Sequence, residues 1–501
     1  MGLLGLDIGT SGCKATIFDY DGTVKGQSYV EYSLVSPRPG WQELDPEVVW
    51  NSVKQVIISA LSSYRGEAIK AISVSSFGES VIPVDQNGNV LYNSIMYIDP
   101  RGGEEANALE EMLGIDEVLS ITGVSIHPMY SLSKIMWIKK HIPDVYGCTW
   151  KFLLYADFVL FKLGARPHTD YSLAARTMAF DVVNKCWSEK ILSTAEIEPA
   201  KFGEPVQSGS VVGEVSIHIA KELGLSTGVL LVAGGHDQPC AALGAGVIRD
   251  NVAVDGMGTT ECITPAFDHA VISKRMAASG FACVPHVKKD MYVTYAFNFT
   301  SGSLLRWFRD NFGSEFRTEA ERTGKNIYEL LIDKATQGPS GLYLLPHFAG
   351  AATPYMDPEA KGAIIGLKID HGKADLIKAI LEGITYEMMV NLEHLKDAGI
   401  EVNELRAVGG MAKSEVFLQL KADMIGKRIV SLNVSEAGTL GVAMLAGTAS
   451  GVYPSLDAAV EKLVKVKKVF LPNEQQHEIY LEKYQTYTRI YPAVKEIYAK
   501  T

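Results

Sequence analysis

A turn of glycines and hydroxyl-bearing residues near the start of the chain places the first restriction on its fold. Residues 1–17 contain an apolar run that ends in Asp7, the turn Gly9-Thr10-Ser11-Gly12, and a second apolar run after Lys14. Two short apolar stretches around such a turn predict a β-hairpin. Glycines let a ligand approach the backbone, successive N–H groups can hold phosphate oxygens, and a carboxylate can hold Mg²⁺ through water. The alternative is a polar surface hairpin without a ligand.

A second hairpin with the same order of residues is predicted in the middle of the chain. Residues 251–263 contain an apolar strand with Asp255, the turn Gly258-Thr259-Thr260, and another apolar strand. Coincidental hairpins are the alternative, but the two turns lie about one domain length apart. The pair therefore predicts a duplicated fold in which each half contributes a hairpin that binds phosphate.

The remaining pattern predicts an α/β fold in two large domains. A chain of 501 residues is too long for a single hydrophobic core. Strand-like and helix-like segments alternate along it. Asp45 as N-cap and Pro46 at the first helical position predict the start of one such helix. We expect the domain boundary near Arg249-Asp250, which gives domains at residues 1–249 and 250–501.

The charge and the cysteine content exclude several classes of protein. A net charge of −11 argues against general binding of nucleic acid or anionic membranes. The six cysteines are scattered without a CxxC pair, which predicts a reducing cytoplasm and neither a zinc site nor a disulfide scaffold. The N-terminus lacks the pattern of a signal peptide, and no run approaches the roughly 20 apolar residues that span a bilayer. We therefore expect a cytoplasmic protein.

A lone acid after a predicted strand is the best candidate for a catalytic base. The apolar segment from Val229 to Gly235 is followed by His236-Asp237-Gln238-Pro239. Many α/β proteins place their chemistry at the carboxyl ends of buried strands. The alternative is that Asp237 caps a helix that begins near Pro239, and the two roles are compatible.

Another glycine turn precedes a late helix. The strand-like residues 405–408 run into Gly409-Gly410-Met411-Ala412-Lys413-Ser414, and a helical pattern follows. Glycines between a strand and a helix N-terminus suit a phosphate or an adenine close to backbone amides. An ordinary turn between strand and helix is the alternative.

Together these candidates predict phosphoryl transfer. The sequence contains no GxxxxGK[ST], HExxH, EF-hand or GxSxG motif, so zinc and Ser-His-Asp chemistry lack support. Phosphoryl transfer needs amides and hydroxyls around phosphates, a metal anchor, and a base for the acceptor hydroxyl. The two hairpins, the late glycine turn, and the carboxylates of Asp7 and Asp237 supply these groups. A cleft that closes between the domains would exclude water.

Two longer patterns resemble the signatures of the FGGY carbohydrate kinases. The first is Met129-x-Ser131-x-x-Lys134-Ile135-x-Trp137-Ile138-x-Lys140-His141, and the second is Gly362-x-Ile364-x-Gly366-Leu367 followed by Asp375-Leu376-x-x-Ala379-Ile380-Leu381-Glu382. The resemblance covers essentially the whole chain. It implies two duplicated ribonuclease-H-like domains of the actin and hexokinase ATPase type, with a cleft between them. The implied activity is the ATP-dependent phosphorylation of a primary hydroxyl of a sugar or polyol.

The resemblance also implies roles for individual residues. Asp237 would take the proton from the substrate hydroxyl, and Asp7 would anchor Mg²⁺ with Asp237 nearby. The expected nucleotide contacts are Thr10, Ser11 and Lys14 at the transferred phosphoryl group, Gly258, Thr259 and Thr260 on the other side of the phosphates, and Gly409, Gly410, Met411 and Ser414 at the adenosine. Polyols need paired donors and acceptors, which we expect from Glu79, Asp99, Arg101 and Gln238. A surface ion pair is the alternative for Asp99 and Arg101.

The predicted sugar site matches no single substrate class of the family. Gly78-Glu79 stand where xylulokinases usually carry Met-His and glycerol kinases carry Arg-Glu, and Ala351-Ala352 replace the usual Glu-Arg. His236 is also unusual before the base. We expect a neutral pentulose such as xylulose as the small-molecule substrate, with glycerol, another polyol or gluconate as alternatives. A non-catalytic nucleotide switch of the actin and heat-shock-protein type is the alternative of a different class. Homodimerisation is an expectation from the family alone.

Overall fold

The computed structural model describes residues 1–434 and 436–498. The strands before the second hairpin are β1 (Gly2–Ile8), β2 (Gly12–Phe18), β3 (Val24–Glu31), β4 (Glu43–Leu44), β5 (Ile69–Ser76), β6 (Ile82–Val84), β7 (Ser94–Ile95), β8 (Lys151–Leu153), β9 (His168–Asp170), β10 (Phe180–Asp181), β11 (Cys186–Trp187), β12 (Glu204–Val206), β13 (Val211–Glu214) and β14 (Leu230–His236). The helices of this half are α1 (Pro46–Ser63), α2 (Gly103–Leu113), α3 (Ile115–Thr122), α4 (Ser131–His141), α5 (Pro143–Cys148), α6 (Tyr155–Leu163), α7 (Tyr171–Ala174), α8 (Glu189–Thr194), α9 (Ile217–Leu223) and α10 (Asp237–Gly244).

The second half begins with the second hairpin. Its strands are β15 (Val252–Met257), β16 (Glu261–Phe267), β17 (Val284–Pro285), β18 (Tyr292–Val293), β19 (Ala296–Asn298), β20 (Tyr343–Leu345), β21 (Ala363–Ile365), β22 (Glu404–Val408), β23 (Arg428–Leu432) and β24 (Val466–Phe470). Its helices are α11 (Lys274–Ala278), α12 (Gly302–Phe312), α13 (Ser314–Thr323), α14 (Ile327–Asp333), α15 (Lys373–Asp397), α16 (Glu415–Ile425), α17 (Ala437–Ala449), α18 (Leu456–Leu463), α19 (Glu474–Tyr487) and α20 (Ile490–Tyr498). Short 3₁₀ helices occur at Ala175–Thr177, Pro199–Lys201 and Met411–Lys413.

The central sheet of the first half has the strand order β13-β14-β5-β1-β2-β3. The first predicted hairpin is confirmed, because β1 and β2 are antiparallel with Asp7 opposite Lys14. Parallel pairing of β1 with β5 and of β5 with β14 continues the sheet. Helix α1 packs on the hairpin side of the sheet and begins at Pro46 as predicted, since the Asp45 carboxylate accepts the Glu47 N–H at 2.9 Å.

The central sheet of the second half repeats this plan. Its order is β17-β18-β16-β15-β22-β23-β24, and β19 also pairs with β16. Strands β15 and β16 form the second antiparallel hairpin, and β15 pairs in parallel with β22, as β1 does with β5. The shared sequence of hairpin and parallel neighbours confirms the predicted α/β fold with a duplicated unit.

Helix α17 belongs to the second half but packs against β1, β5 and α10 of the first. The contact is made by backbone, because glycines leave room for the neighbouring carbonyl groups. A Cβ on Gly5 would lie 2.3 Å from the Thr439 carbonyl oxygen, and one on Gly441 would lie 2.0 Å from that of Cys240. These distances are too short for any side chain, so the two halves are joined through closely packed backbone beside Asp237.

Two further observations concern the helices. A single terminal helix at 475–499 is predicted from composition, and this is wrong: α19 and α20 are separated at residues 488–489, and residue 499 lies outside the described residues. Pro492 explains the break, since proline has no N–H to donate to the carbonyl of Thr488 and its ring would clash with that carbonyl.

Among the described helices, none is long and apolar enough to cross a membrane.

Candidate active site

The Asp237 carboxylate stands at the end of β14, on the first residue of α10. The capping interpretation is wrong, because the N-cap position is His236 and no side chain caps this helix. Asp237 keeps 37% of its side chain exposed and has its Oδ1 atom 3.2 Å from His236 Nε2. This oxygen accepts no hydrogen bond from any part of the chain that the structure describes. The carboxylate is therefore available to a substrate hydroxyl.

The surroundings of Asp237 favour a base that works near neutral pH. Burial, followed by the negative charges of Asp7 and Glu79, raises the pKa of Asp237 to about 7, against the opposing effects of the Gln238 N–H and Arg176. Burial also raises the pKa of Asp7, although Ser75 and Lys14 act in the opposite direction. A general base is most effective when its pKa lies close to the working pH.

The first hairpin brings Lys14 and the carboxylate of Asp7 to the same region. Lys14 Nζ donates to Glu436 Oε2 at 2.7 Å, just before α17. Thr10 and Ser11 lie in the turn with their side chains at least partly exposed. The hairpin thus presents a cation, hydroxyls and backbone amides at one end. Glu436 was not identified from the sequence, since its partner Lys14 lies in the other half of the chain.

The residues present fit a magnesium ion that arrives with phosphates. Among residues 1–434 and 436–498, no group of three or more His, Cys, Asp or Glu side chains could hold a metal by itself. Mg²⁺ is commonly bound through one or two carboxylates, with water and substrate phosphates as the other ligands. Asp237 is one such carboxylate, and Asp7, whose charge together with burial raises the pKa of Asp237, is a second.

The second hairpin presents an exposed turn, Gly258-Thr259-Thr260. The N–H groups of Ser301 and Gly302 donate to the carbonyls of Thr259 and Gly258, both at 3.0 Å, so the turn is fixed to the start of α12. Asp255 does not repeat the environment of Asp7. Its Oδ2 lies 2.5 Å from Lys421 Nζ, and both side chains are fully buried. The similarity between the two hairpins therefore extends to their backbone and turns but not to their acids.

A cavity of about 290 Å³ joins this turn to the late glycine turn. It is lined by the predicted residues Gly258, Thr259, Gly410, Met411 and Ser414. The sequence analysis missed other lining residues: Met257, Gly302, Leu305, Arg306, Asn326, Tyr328, Glu329, Ile332 and Lys413. A concave, mostly apolar cavity with a few polar groups suits a nucleoside.

The late glycine turn has structural reasons for its residues as well. Gly409 has φ +97°, and a Cβ there would lie 2.4 Å from the Met257 carbonyl oxygen. Ser414 caps α16 by accepting the Phe417 N–H at 3.3 Å. The turn is therefore both an ordinary connection from strand to helix and one wall of the cavity.

Glu79 lies beside the base and is paired with a residue that the sequence analysis missed. Arg176 Nε donates to Glu79 Oε1 at 2.6 Å, and both residues are buried. Glu79 also has φ +66°, an uncommon conformation for a residue other than glycine. Gln238 follows Asp237 directly and is half-buried. Glu79 and Gln238 thus lie close to the Asp237 carboxylate, and their contact with substrate stays a prediction.

Asp99 and Arg101 form an ion pair, but not on the surface. Arg101 Nη2 lies 2.7 Å from Asp99 Oδ2, and Arg101 Nη1 lies 2.7 Å from Glu43 Oε1, with all three side chains nearly inaccessible. The guanidinium also packs 3.9 Å above the Trp41 ring. The alternative of a surface pair is wrong. Because protein groups already engage these side chains, their direct contact with substrate stays a prediction.

Comparisons with known proteins agree with this geometry. Residues 2–244 match the N-terminal domain of the FGGY family of carbohydrate kinases, and residues 256–450 match its C-terminal domain. A Staphylococcus epidermidis protein named xylulose kinase is 32% identical over 499 residues, covering 99% of this chain and 98% of that protein. A Bacillus subtilis protein named gluconokinase is 29% identical over 467 residues, covering 92% of this chain and 90% of that protein. The solved structure of xylulose kinase from Rhodospirillum rubrum has a TM-score of 0.89 at 25% identity and covers 100% of both chains. The chain is therefore a carbohydrate kinase and belongs to the FGGY family, as its two signature patterns predict.

Proposed function

We propose that this kinase transfers the γ-phosphoryl group of ATP to a primary hydroxyl of a neutral sugar or polyol, with a pentulose such as xylulose preferred. The observation that carries the proposal is the partly exposed carboxylate of Asp237 at the end of β14, whose pKa is raised to about 7. Kinases of this family use ATP, and the cavity beside Gly258 and Gly410 has the character of a nucleoside site. Homodimerisation and a cytoplasmic location stay predictions.

In the proposed reaction, Asp237 accepts the proton of the acceptor hydroxyl while the oxygen of that hydroxyl forms a bond to the γ-phosphorus. The bond from that phosphorus to the β,γ-bridging oxygen breaks, and ADP leaves with the electron pair. Thr10, Ser11 and Lys14 would contact the transferred group, and the turn at 258–260 would hold the other phosphates. Asp7 and Asp237 would hold Mg²⁺, which neutralises phosphate charge when bound. Positioning and electrostatics would account for most of the catalysis.

The charges near the base favour an uncharged acceptor. Among the described residues with the largest effects on the pKa of Asp237, Arg176 is the one cation, and it is already paired with Glu79. The other charged groups in that set, Asp7 and Glu79, are carboxylates. Relatives named xylulose kinase are 27–32% identical and one named gluconokinase is 29% identical, so the charges near the base, and not the identities, carry this preference.

The test is a coupled ADP-release assay with purified protein, ATP and Mg²⁺. Xylulose, other pentuloses, hexuloses, glycerol, four- and five-carbon polyols, and gluconate would be ranked by kcat/KM. Asp237→Asn should reduce the rate with the best acceptor at least about a hundredfold, because a general base commonly contributes that much. Calorimetry should show that the variant still binds ATP. Unchanged phosphorylation by Asp237→Asn would refute the mechanism, and inactivity on every acceptor would favour the nucleotide switch.

A further inference from the structure

Arg176 carries hydrogen-bond donors that no described residue accepts with ordinary geometry. It lies in the 3₁₀ helix Ala175–Thr177 and is only 6% exposed. Its Nε and Nη2 atoms both contact Glu79 Oε1, the former at 2.6 Å. Its Nη1 atom is buried and makes no hydrogen bond of ordinary geometry within residues 1–434 and 436–498, and the guanidinium's weaker interaction with the Tyr130 hydroxyl opposes the rise in the pKa of that phenol. Buried polar groups are nearly always paired, so a guanidinium nitrogen without such a bond next to a catalytic base points to a missing ligand.

The surroundings hold the Arg176 side chain in one place. The Tyr130 ring lies 5.1 Å from the guanidinium carbon and the Tyr295 ring lies 5.5 Å from it. A Cβ on Gly78 would lie 2.8 Å from Arg176 Cγ and 3.2 Å from His236 Cδ2. A larger residue at position 78 would therefore displace the arginine. Glycerol kinases carry an arginine at the position of Gly78. In this chain the space beside Gly78 is filled by the side chain of Arg176 instead.

These positions connect Arg176 with the base. Tyr295, whose ring faces the guanidinium, has its hydroxyl 3.1 Å from His236 Nδ1. His236 in turn lies next to the Asp237 carboxylate. A single group of side chains therefore lies beside the Asp237 carboxylate: Tyr130, Tyr295, His236 and Arg176. Arg176 is the cation of this group.

We infer that Arg176 is a substrate-binding and specificity-determining residue: its Nη1 donates to an oxygen of the acceptor sugar, and its pairing with Glu79 selects an uncharged sugar over a sugar acid. This inference rests on the proposed function and deepens it. A sugar acid would bring a carboxylate to a site that already contains Asp7, Glu79 and Asp237. The two described cations near the base, Arg176 and Lys14, are already paired with Glu79 and Glu436, so neither offers a free positive charge to the acid.

The first test is Arg176→Lys, which keeps the positive charge but removes the planar group that carries Nη1. We expect KM for xylulose to rise about tenfold or more, as the loss of a charged hydrogen bond predicts, while KM for ATP stays unchanged. Calorimetry with xylulose in the absence of ATP should show the same loss of affinity. Arg406→Lys is the matched control, since Arg406 pairs with Glu404 away from the base, and its KM values should stay at the wild-type level.

The second test is Glu79→Gln, which leaves the Arg176 charge unbalanced. The ratio of kcat/KM for gluconate to that for xylulose should increase about tenfold or more, and binding of gluconate measured by calorimetry should strengthen relative to xylulose. An unchanged ratio in Glu79→Gln, or an unchanged xylulose KM in folded Arg176→Lys, would overturn the inference. Failure of the wild-type protein to phosphorylate any neutral sugar or polyol would instead overturn the proposed function.

Discussion

Lys421 forms buried ion pairs with both strands of the second hairpin, and its replacement tests how much these pairs stabilise the fold. Its ammonium group lies 2.5 Å from Asp255 Oδ2 and also contacts Glu261, and all three side chains are fully buried. The Ser301 hydroxyl donates to the other Glu261 oxygen at 2.8 Å. Asp255 and Glu261 lie on the two strands that flank the turn at 258–260. We predict that Lys421→Met destabilises the second half strongly.

The size of the effect follows from the two carboxylates that lose their cation. Burial, the largest cause, already raises the pKa of Glu261 to about 7, so this group can take a proton near neutral pH at little cost. The second carboxylate, Asp255, is left fully buried without its cation. Removing one partner of a buried pair typically costs about 3–5 kcal/mol.

The same argument gives the pH dependence. Lys421 lowers the pKa of Glu261, which is about 7 in the wild type, so the folded variant keeps the Glu261 proton to a higher pH than the folded wild type does. The unfolded chain has already released this proton, so the variant loses unfolding free energy relative to wild type as the pH rises above about 7. The difference between variant and wild type should therefore be larger at pH 8 than at pH 6.

The assay is urea unfolding of wild type and Lys421→Met, followed by circular dichroism at both pH values. The midpoint of each transition is compared, because a two-domain chain need not unfold in one step. Lys468→Met is the matched control: Lys468 pairs with Glu415 at half-exposed positions, and such a pair contributes less than about 1 kcal/mol. A wild-type midpoint for Lys421→Met, or an equal deficit at both pH values, would refute the reasoning.

Three other predictions concern the cleft. Because the pKa of Asp237 is raised to about 7, kcat/KM for the sugar should fall as the pH drops below about 7; a flat profile between pH 5 and 8 would contradict this role. Gly258→Val should weaken ATP binding about tenfold in calorimetry, because the side chain would crowd the phosphates. Its unfolding midpoint should stay unchanged, since a Cβ there meets no atom of another residue nearer than the Thr260 oxygen at 3.7 Å. Gly441→Val should lower the free energy of unfolding by about 1–3 kcal/mol, and with it the melting temperature and kcat, because the side chain forces α17 away from α10. Melting at the wild-type temperature would argue against that close contact.

Much of the fold is predictable because its signals are local. Both hairpins follow from apolar runs around glycine turns, and the start of α1 follows from Asp45 before Pro46. Helix α15, Lys373–Asp397, is recognisable in the same way, because its apolar positions keep a helical period over many turns. The candidate base Asp237 could also be found, since a strand followed by an acid is a local pattern.

The missed residues depend on partners far along the chain. Lys14 and Glu436 are 422 positions apart, and Lys421 and Asp255 are 166 positions apart, so neither pair has a signal within one segment. A lysine within a helix usually has its charge in water, which is why nothing marked Lys421 as buried. Arg176 lies in a short 3₁₀ helix, and its partner Glu79 is 97 positions away, so its pairing has no local signal either.

The contact of α17 with the first half has a consequence for how this kinase is made. Leu3, Leu243 and Leu440 belong to one buried cluster, so the apolar surface of the first sheet needs a helix that is translated near the end of the chain. Until residue 449 has left the ribosome, that surface stays exposed to water and to other chains. The first half therefore cannot bury this surface until most of the second half has been translated. During that interval a chaperone would have the largest exposed apolar surface to cover.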